Sequence, residues 1–306
     1  MKALKNTKIY EMVKQILRQP VLCAFLAVGL WYVLANYVGK INMFVLAMLD
    51  LFDENLLSLL EMVVLTLYVL WIKKKLGSNF KIGFRCDNLG KAFLISGPMY
   101  LIIAYYFSDS IQMFSTVPME LSSGAFFDAL INQLFFGLTP GITEEYLYRV
   151  ILMGIIMHLA MGKKHRLALA VGISTVVFGV VHIVNIFFAH APLAATLSQV
   201  TYATAMGLLF GAVYARTRNI IAPMVLHTVV DVVEDAYARF YPNVSAESLG
   251  IGRIISLNDL QLCLAISALC VPVALYLLRP AKHHEIEAHW GSLKPAAEES
   301  GEASAL

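Results

Sequence analysis

The run Thr143-Glu144-Glu145-Tyr146-Leu147-Tyr148-Arg149 sets two adjacent carboxylates and a guanidinium inside an apolar segment. Residues four apart share a helix face, so Glu145 is placed to pair with Arg149. Glu144 has Tyr148 at the corresponding position and no partner within its own helix. A carboxylate left without a partner in an apolar setting is suited to general acid or base work. Two later stretches, Phe178-x-x-x-His182 and His227-x-x-x-Asp231, carry further polar groups in apolar surroundings. Hydrolysing a peptide bond needs a water, a base to deprotonate it, donors for the developing oxyanion and a partner that keeps the base poised. Glu144, His182, His227 and Arg149 have the chemistry for those parts. Asp231, one turn after His227, is placed to fix the tautomer and orientation of that ring.

Glu144, His182 and His227 would equally make a three-ligand zinc set. The H-E-x-x-H spacing is missing, and a glutamate-activated water works without metal. The expectation is therefore a cofactor-free mechanism, with zinc on those three residues as the alternative. The remaining ionisable residues of the apolar spans are His158, Glu234 and Asp235, with Asn185 a neutral companion of His182. Cys23, Cys86, Cys263 and Cys270 have neither ligand nor disulfide spacing and read as thiols that pack as small hydrophobes. Gly207 and Gly211, four apart, read as a close-packing face.

The elements that must position these groups are membrane helices. Hydrophobic residues make up 59% of the 306-residue chain and charged ones 14%, against about 25% charged in soluble domains. A bilayer core of about 30 Å takes about 20 helical residues. That length marks spans near 20–38, 56–72, 92–107, 143–160, 167–188, 196–215, 222–238 and 260–278, so the expected fold is all-α, a polytopic bundle of about eight transmembrane helices. Leu138-Thr139-Pro140-Gly141 is expected to break the long apolar run 126–160 into two helices, and Asn219 to Pro223 to enter the membrane as extended chain. The basic clusters at Lys73, Lys163 and Arg216 place those loops and both termini in the cytoplasm by the positive-inside rule. The expected division is a cytoplasmic segment 1–19, one transmembrane domain 20–280 and a disordered cytoplasmic tail 281–306, in which His283, His284 and His289 are a solvated tract. Basic residues are scattered between spans rather than gathered on one face, which gives no footprint for nucleic acid.

In order, spacing and setting, Glu144-Glu145-x-x-x-Arg149, Phe178-x-x-x-His182 and His227-x-x-x-Asp231 resemble the three motifs of the CPBP family, which includes CAAX prenyl endopeptidases and bacterial bacteriocin-processing or self-immunity (Abi) proteins. The likeness covers roughly 140–235. It implies an intramembrane endopeptidase of a bacterial cytoplasmic membrane, acting on a membrane-embedded or lipid-anchored peptide or protein. Glu144 would be its base, His182 would hold the water and His227 would stabilise the oxyanion. Asp231 stands where the family has Asn or Asp; an ionised Asp only accepts hydrogen bonds, which favours a role through His227. Two other functions fit intramembrane Glu, His and Arg: a non-catalytic regulator or immunity protein of the same fold, and a proton-coupled transporter, for which no inverted repeat is visible.

Overall fold

The computed structural model describes residues 19–49, 51, 53–84, 86–116, 119, 121–188, 190–234, 236–241 and 259–293. The expected N-terminal segment, Asp235 and the tail beyond 293 lie outside them. The described residues form helices and no strand. In chain order these are α1 (Pro20–Met48), α2 (Glu54–Leu76), α3 (Leu89–Ile95), α4 (Pro98–Thr116) and α5 (Ser123–Glu145). A π-helical segment, Tyr146–Met153, runs on into α6 (Gly154–Leu159). Then come α7 (Arg166–Val181), a 3-10 turn His182–Val184, α8 (Asn185–Phe188), α9 (Leu193–Thr217), α10 (Ile221–Val233), α11 (Ala236–Phe240), α12 (Asp259–Leu278) and α13 (His283–Trp290).

Local chemistry sets several ends. Asp53 caps α2 by accepting from the Leu56 N–H at 2.8 Å, and Lys73, Lys74 and Lys75 lie in its last turn, where cations suit the helix dipole. Among the described residues six helices are long and apolar enough to cross a bilayer, or seven if α3 and α4, bent by 68°, count as one span. The sequence expectation of eight exceeds this because it counted 222–238, whose helix α10 has only 13 residues.

The expected break at 138–141 is absent. Ser123–Leu159 runs as one 37-residue helical stretch with Pro140 inside it. The glycines there serve packing instead. A Cβ on Gly141 would lie 2.2 Å from Thr228 Oγ1 and 2.7 Å from Thr228 N, and one on Gly137 would lie 2.6 Å from the Thr228 carbonyl oxygen. Small residues at this spacing let two helix backbones approach, and here they seat α10 against α5. Thr139 and Thr143 donate to the Phe135 and Thr139 carbonyls at 2.8 and 2.7 Å, which keeps these hydroxyls satisfied inside the helix.

The extended entry expected at 219–223 also gives way to helix. Asn219 Oδ1 accepts from the Ala222 N–H at 3.1 Å, and α10 has begun by Ile221, two residues before Pro223. The turn before it is recessed: Arg216, Arg218, Asn219 and Ile220 are buried. What roofs the turn is the segment expected to be a disordered tail. Trp290 donates its Nε1–H to the Ala215 carbonyl at 2.9 Å, and its ring lies 4.3 Å from the Arg218 guanidinium. Arg166 donates to the Trp290 carbonyl at 2.9 Å, and Glu285 pairs with Arg216, Lys91 and Lys282. The Arg216 hydrogen bond, helped by both lysines, holds the Glu285 carboxyl well below the usual carboxylate range. Ile286 and Trp290, one turn apart, are both buried, so this acidic and histidine-rich stretch is ordered by an apolar stripe.

Candidate active site

Successive helical residues point about 100° apart, so adjacent glutamates meet different surroundings. Glu145 and Arg149 have no exposed side-chain surface, and Arg149 Nε lies 3.2 Å from Glu145 Oε2, the i,i+4 pair expected from sequence. Glu144 keeps 28% of its side chain exposed and lines a cavity of about 570 Å³. All eight residues of the π-helical segment, Arg149 included, are buried. The extra residue per turn re-aims side chains locally, and such segments recur at functional sites.

Phe178, near the end of α7, is the hub under this cluster. Its ring lies 4.3 Å from the Arg149 guanidinium carbon and 5.5 and 5.8 Å, edge-on, from the rings of His182 and His227. Gly207 of α9 leaves room for it, since a Cβ there would come within 2.7 Å of the Phe178 ring. This confirms the close-packing role expected of Gly207. His182 Nδ1 lies 2.9 Å from the Phe178 carbonyl, and a carbonyl only accepts, so Nδ1 carries the hydrogen. Nε2 of His182 is then the free nitrogen, and the residue lines the cavity.

His227 lies in the middle of α10 (Ile221–Val233). Its Nδ1 is 3.1 Å from Glu145 Oε1, and its Nε2 is 3.8 Å from Glu144 Oε2 and 3.6 Å from Asp231 Oδ2. The orienting partner expected from sequence was Asp231. The structure corrects this: Glu145 holds Nδ1 at hydrogen-bonding distance, and Asp231 stands beyond that distance on the other side of the ring. Gln133 of α5 explains where α10 stops. Its Nε2 donates to the Val232 carbonyl at 2.8 Å and lies 3.4 Å from that of Asp231, satisfying carbonyls that a helix end leaves open.

The structure thus brings Glu144, Glu145, Arg149, His182, His227 and Asp231 to one place. His158 is elsewhere, edge-on to Phe80 at 5.7 Å, and His190 is not among the cavity residues. Sequence reasoning passed over Asn55, Ser58 and Gln199, which line the cavity; Asn185 is bonded to Gln199 at 2.9 Å. It also passed over Glu61, a carboxylate within the span of α2 that lines a neighbouring cavity of about 210 Å³. An acid in the middle of an apolar window was the available signal. Among the described residues no three His, Cys, Asp or Glu side chains converge in a way that could hold a metal ion.

Residues 125–233, from the start of α5 to the end of α10, match a family model described as type II CAAX prenyl endopeptidase Rce1-like. No curated protein and no solved structure matches the chain. The matched stretch carries all six residues of the cluster, in a bundle of apolar helices long enough to cross a membrane. The segment that builds the site belongs to the CPBP/CAAX protease family.

Proposed function

We propose that the protein is an intramembrane endopeptidase in which Glu144 activates a water for attack on a peptide bond of a membrane-associated polypeptide. The observation that carries this reading is the unequal pair: Glu145 is sealed between Arg149 and His227, while Glu144 alone meets the cavity. A water between Glu144 and the free Nε2 of His182 would lose its proton to Glu144 as its oxygen bonds to the carbonyl carbon. In its imidazolium form His227 would donate Nδ1–H to Glu145 and keep Nε2–H as a donor for the oxyanion. As the intermediate collapses, Glu144 returns the proton to the departing amine and the C–N bond breaks. Arg149, fully buried, offsets the charge of Glu145.

On this reading no cofactor takes part, and the partners are a polypeptide substrate and the bilayer. The test is a reconstituted assay on membrane-anchored reporter peptides. The parent protein should cut, and Glu144→Gln should be slower by about 10²-fold or more while remaining folded. A Gln variant that cuts as fast as the parent would defeat the proposal. Chelator treatment should leave the rate unchanged; loss on chelation with recovery on adding zinc would move the mechanism to a metal held by Glu144, His182 and His227.

A further inference from the structure

α2, α5 with α6, α7, α9 and α10 run in alternating directions, and each places its cavity residues at the end away from the basic cluster beside it. In α2, Asn55 and Ser58 line the cavity at the start and Lys73, Lys74 and Lys75 close the end. The stretch from α5 to α6 brings Asn132 and Glu144 to the cavity before the chain reaches Lys163 and Lys164. In α7 the order reverses, from Arg166 at the start to His182 just past the end. Gln199 lies early in α9 and Arg216 in its last turn, and α10 runs from beside Arg218 to Asp231.

Direct contacts show that the basic ends share one face. Glu285 joins Lys91, Arg216 and Lys282; Arg166 and Arg218 both bond carbonyls of α13 or the residue after it; and the Ile220 N–H donates to the Gly83 carbonyl at 3.1 Å. The opposite ends also meet. Asn55 donates to Asn132 at 2.6 Å, and Asn42, late in α1, shares a cavity with Ser58. Among the described residues, and apart from Arg149 buried in the catalytic cluster, Lys40 and Arg239 are the only lysine or arginine on the cavity side, together with acids such as Asp53, Glu54 and Glu234.

Lysine and arginine in short loops resist passage through the membrane and stay in the cytoplasm, and the loops on the basic face, at 77–88, 160–165, 218–220 and 279–282, are all short. We infer that the catalytic cavity opens on the face of the membrane away from the cytoplasm, and that the protein cuts polypeptides presented from that side. The substrate half of this inference rests on the proteolytic reading; the orientation does not. Its mouth offers amide and carboxylate groups, Asn55, Asn132, Asn185 and Glu54 among them, which suits a hydrated, extended backbone reaching the bond from outside.

The test uses the full-length protein with Cys23, Cys86, Cys263 and Cys270 replaced and a single new cysteine at one of two positions. Ser123→Cys lies exposed at the start of α5 on the cavity side; Lys164→Cys lies exposed on the basic face. In sealed cells a membrane-impermeant maleimide should label the first and spare the second until the membrane is permeabilised. The reverse pattern, or labelling of both in sealed cells, overturns the inference. A second arm offers the protein one cleavable sequence on either side of a single-span reporter, and only the non-cytoplasmic copy should be cut, in a manner abolished by Glu144→Gln. Cutting of the cytoplasmic copy also overturns it. If neither copy is cut by the parent protein, the substrate half falls with the proteolytic reading, while the labelling still decides the orientation.

Discussion

The ring of His227 bridges the two adjacent glutamates: Nδ1 lies 3.1 Å from Glu145 Oε1 and Nε2 lies 3.8 Å from Glu144 Oε2. One carboxylate holds the imidazole and the other faces the same nitrogen that would donate to a reaction intermediate. Glu145 therefore has two duties, toward Arg149 and toward His227, and its loss should differ in kind from the loss of Glu144.

Glu145→Gln should damage fold and activity together. Removing one partner of a buried ion pair costs about 3–5 kcal/mol, because the remaining charge is stranded. Arg149 has no exposed surface with which to escape. The variant should melt at clearly lower temperature in detergent and lose activity, whereas Glu144→Gln should melt like the parent. Equal melting temperatures for the two variants would contradict this division of labour.

Asp231→Asn should retain activity to within about tenfold, or about 1.4 kcal/mol of barrier. Asp231 stands 3.6 Å from Nε2 and does not hold the ring. The measurement is kcat/KM of the Asn variant on a reporter peptide. A loss on the scale of Glu144→Gln would show that Asp231 acts directly in the chemistry.

Gly141→Ala should act at a distance. The new methyl would press on the Thr228 amide, which is backbone of α10 and unable to turn aside, and overpacking of this kind costs about 1–3 kcal/mol. Since Thr228 follows His227, the shift moves the ring off Glu145, and kcat should fall more than KM rises. Gly172→Ala, where nothing lies within 4 Å, is the control and should change neither quantity.

Several of these relationships were open to reading in the sequence and others were not. Glu145 with Arg149 follows from spacing along one helix, and the odd status of Glu144 follows from the same count. The bond between Glu145 and His227 joins residues 82 apart, so it depends on how α10 packs on α5. Of the glycines that allow this packing, Gly137 carries no signal of its own, and Gly141 stands next to Pro140 and reads with it as a break. In water Pro140 would favour one, but in an apolar bundle every backbone group must find a partner and the helix persists. The docked α13 was hidden because histidines and glutamates dominate its composition, while the two residues that anchor it, Ile286 and Trp290, show only as a single i,i+4 pair.

Glu285→Ala should loosen that last helix. A networked ion pair near the surface contributes about 1 kcal/mol, or about 2–4 °C in Tm for a chain of this size. The Glu285 carboxyl is held below its ordinary range when folded, so its contribution is complete above about pH 4.3, its unfolded value, and fades as pH falls below that. Melting curves should therefore separate parent from variant near pH 7, with the gap narrowing steadily as pH falls below about 4.3. A gap that stayed constant across that range would mean that Glu285 stabilises α13 by packing rather than by charge.

The shortness of α10 has a mechanical consequence. Its 13 residues rise about 20 Å, while the hydrocarbon layer is about 30 Å thick. A helix that stops two-thirds of the way across leaves a notch in the wall of the bundle, and lipid tails cannot fill it without exposing the carbonyls that Gln133 serves. Any water admitted there would stand nearer to Glu144, beside His227 in the middle of α10, than a full-length span would allow.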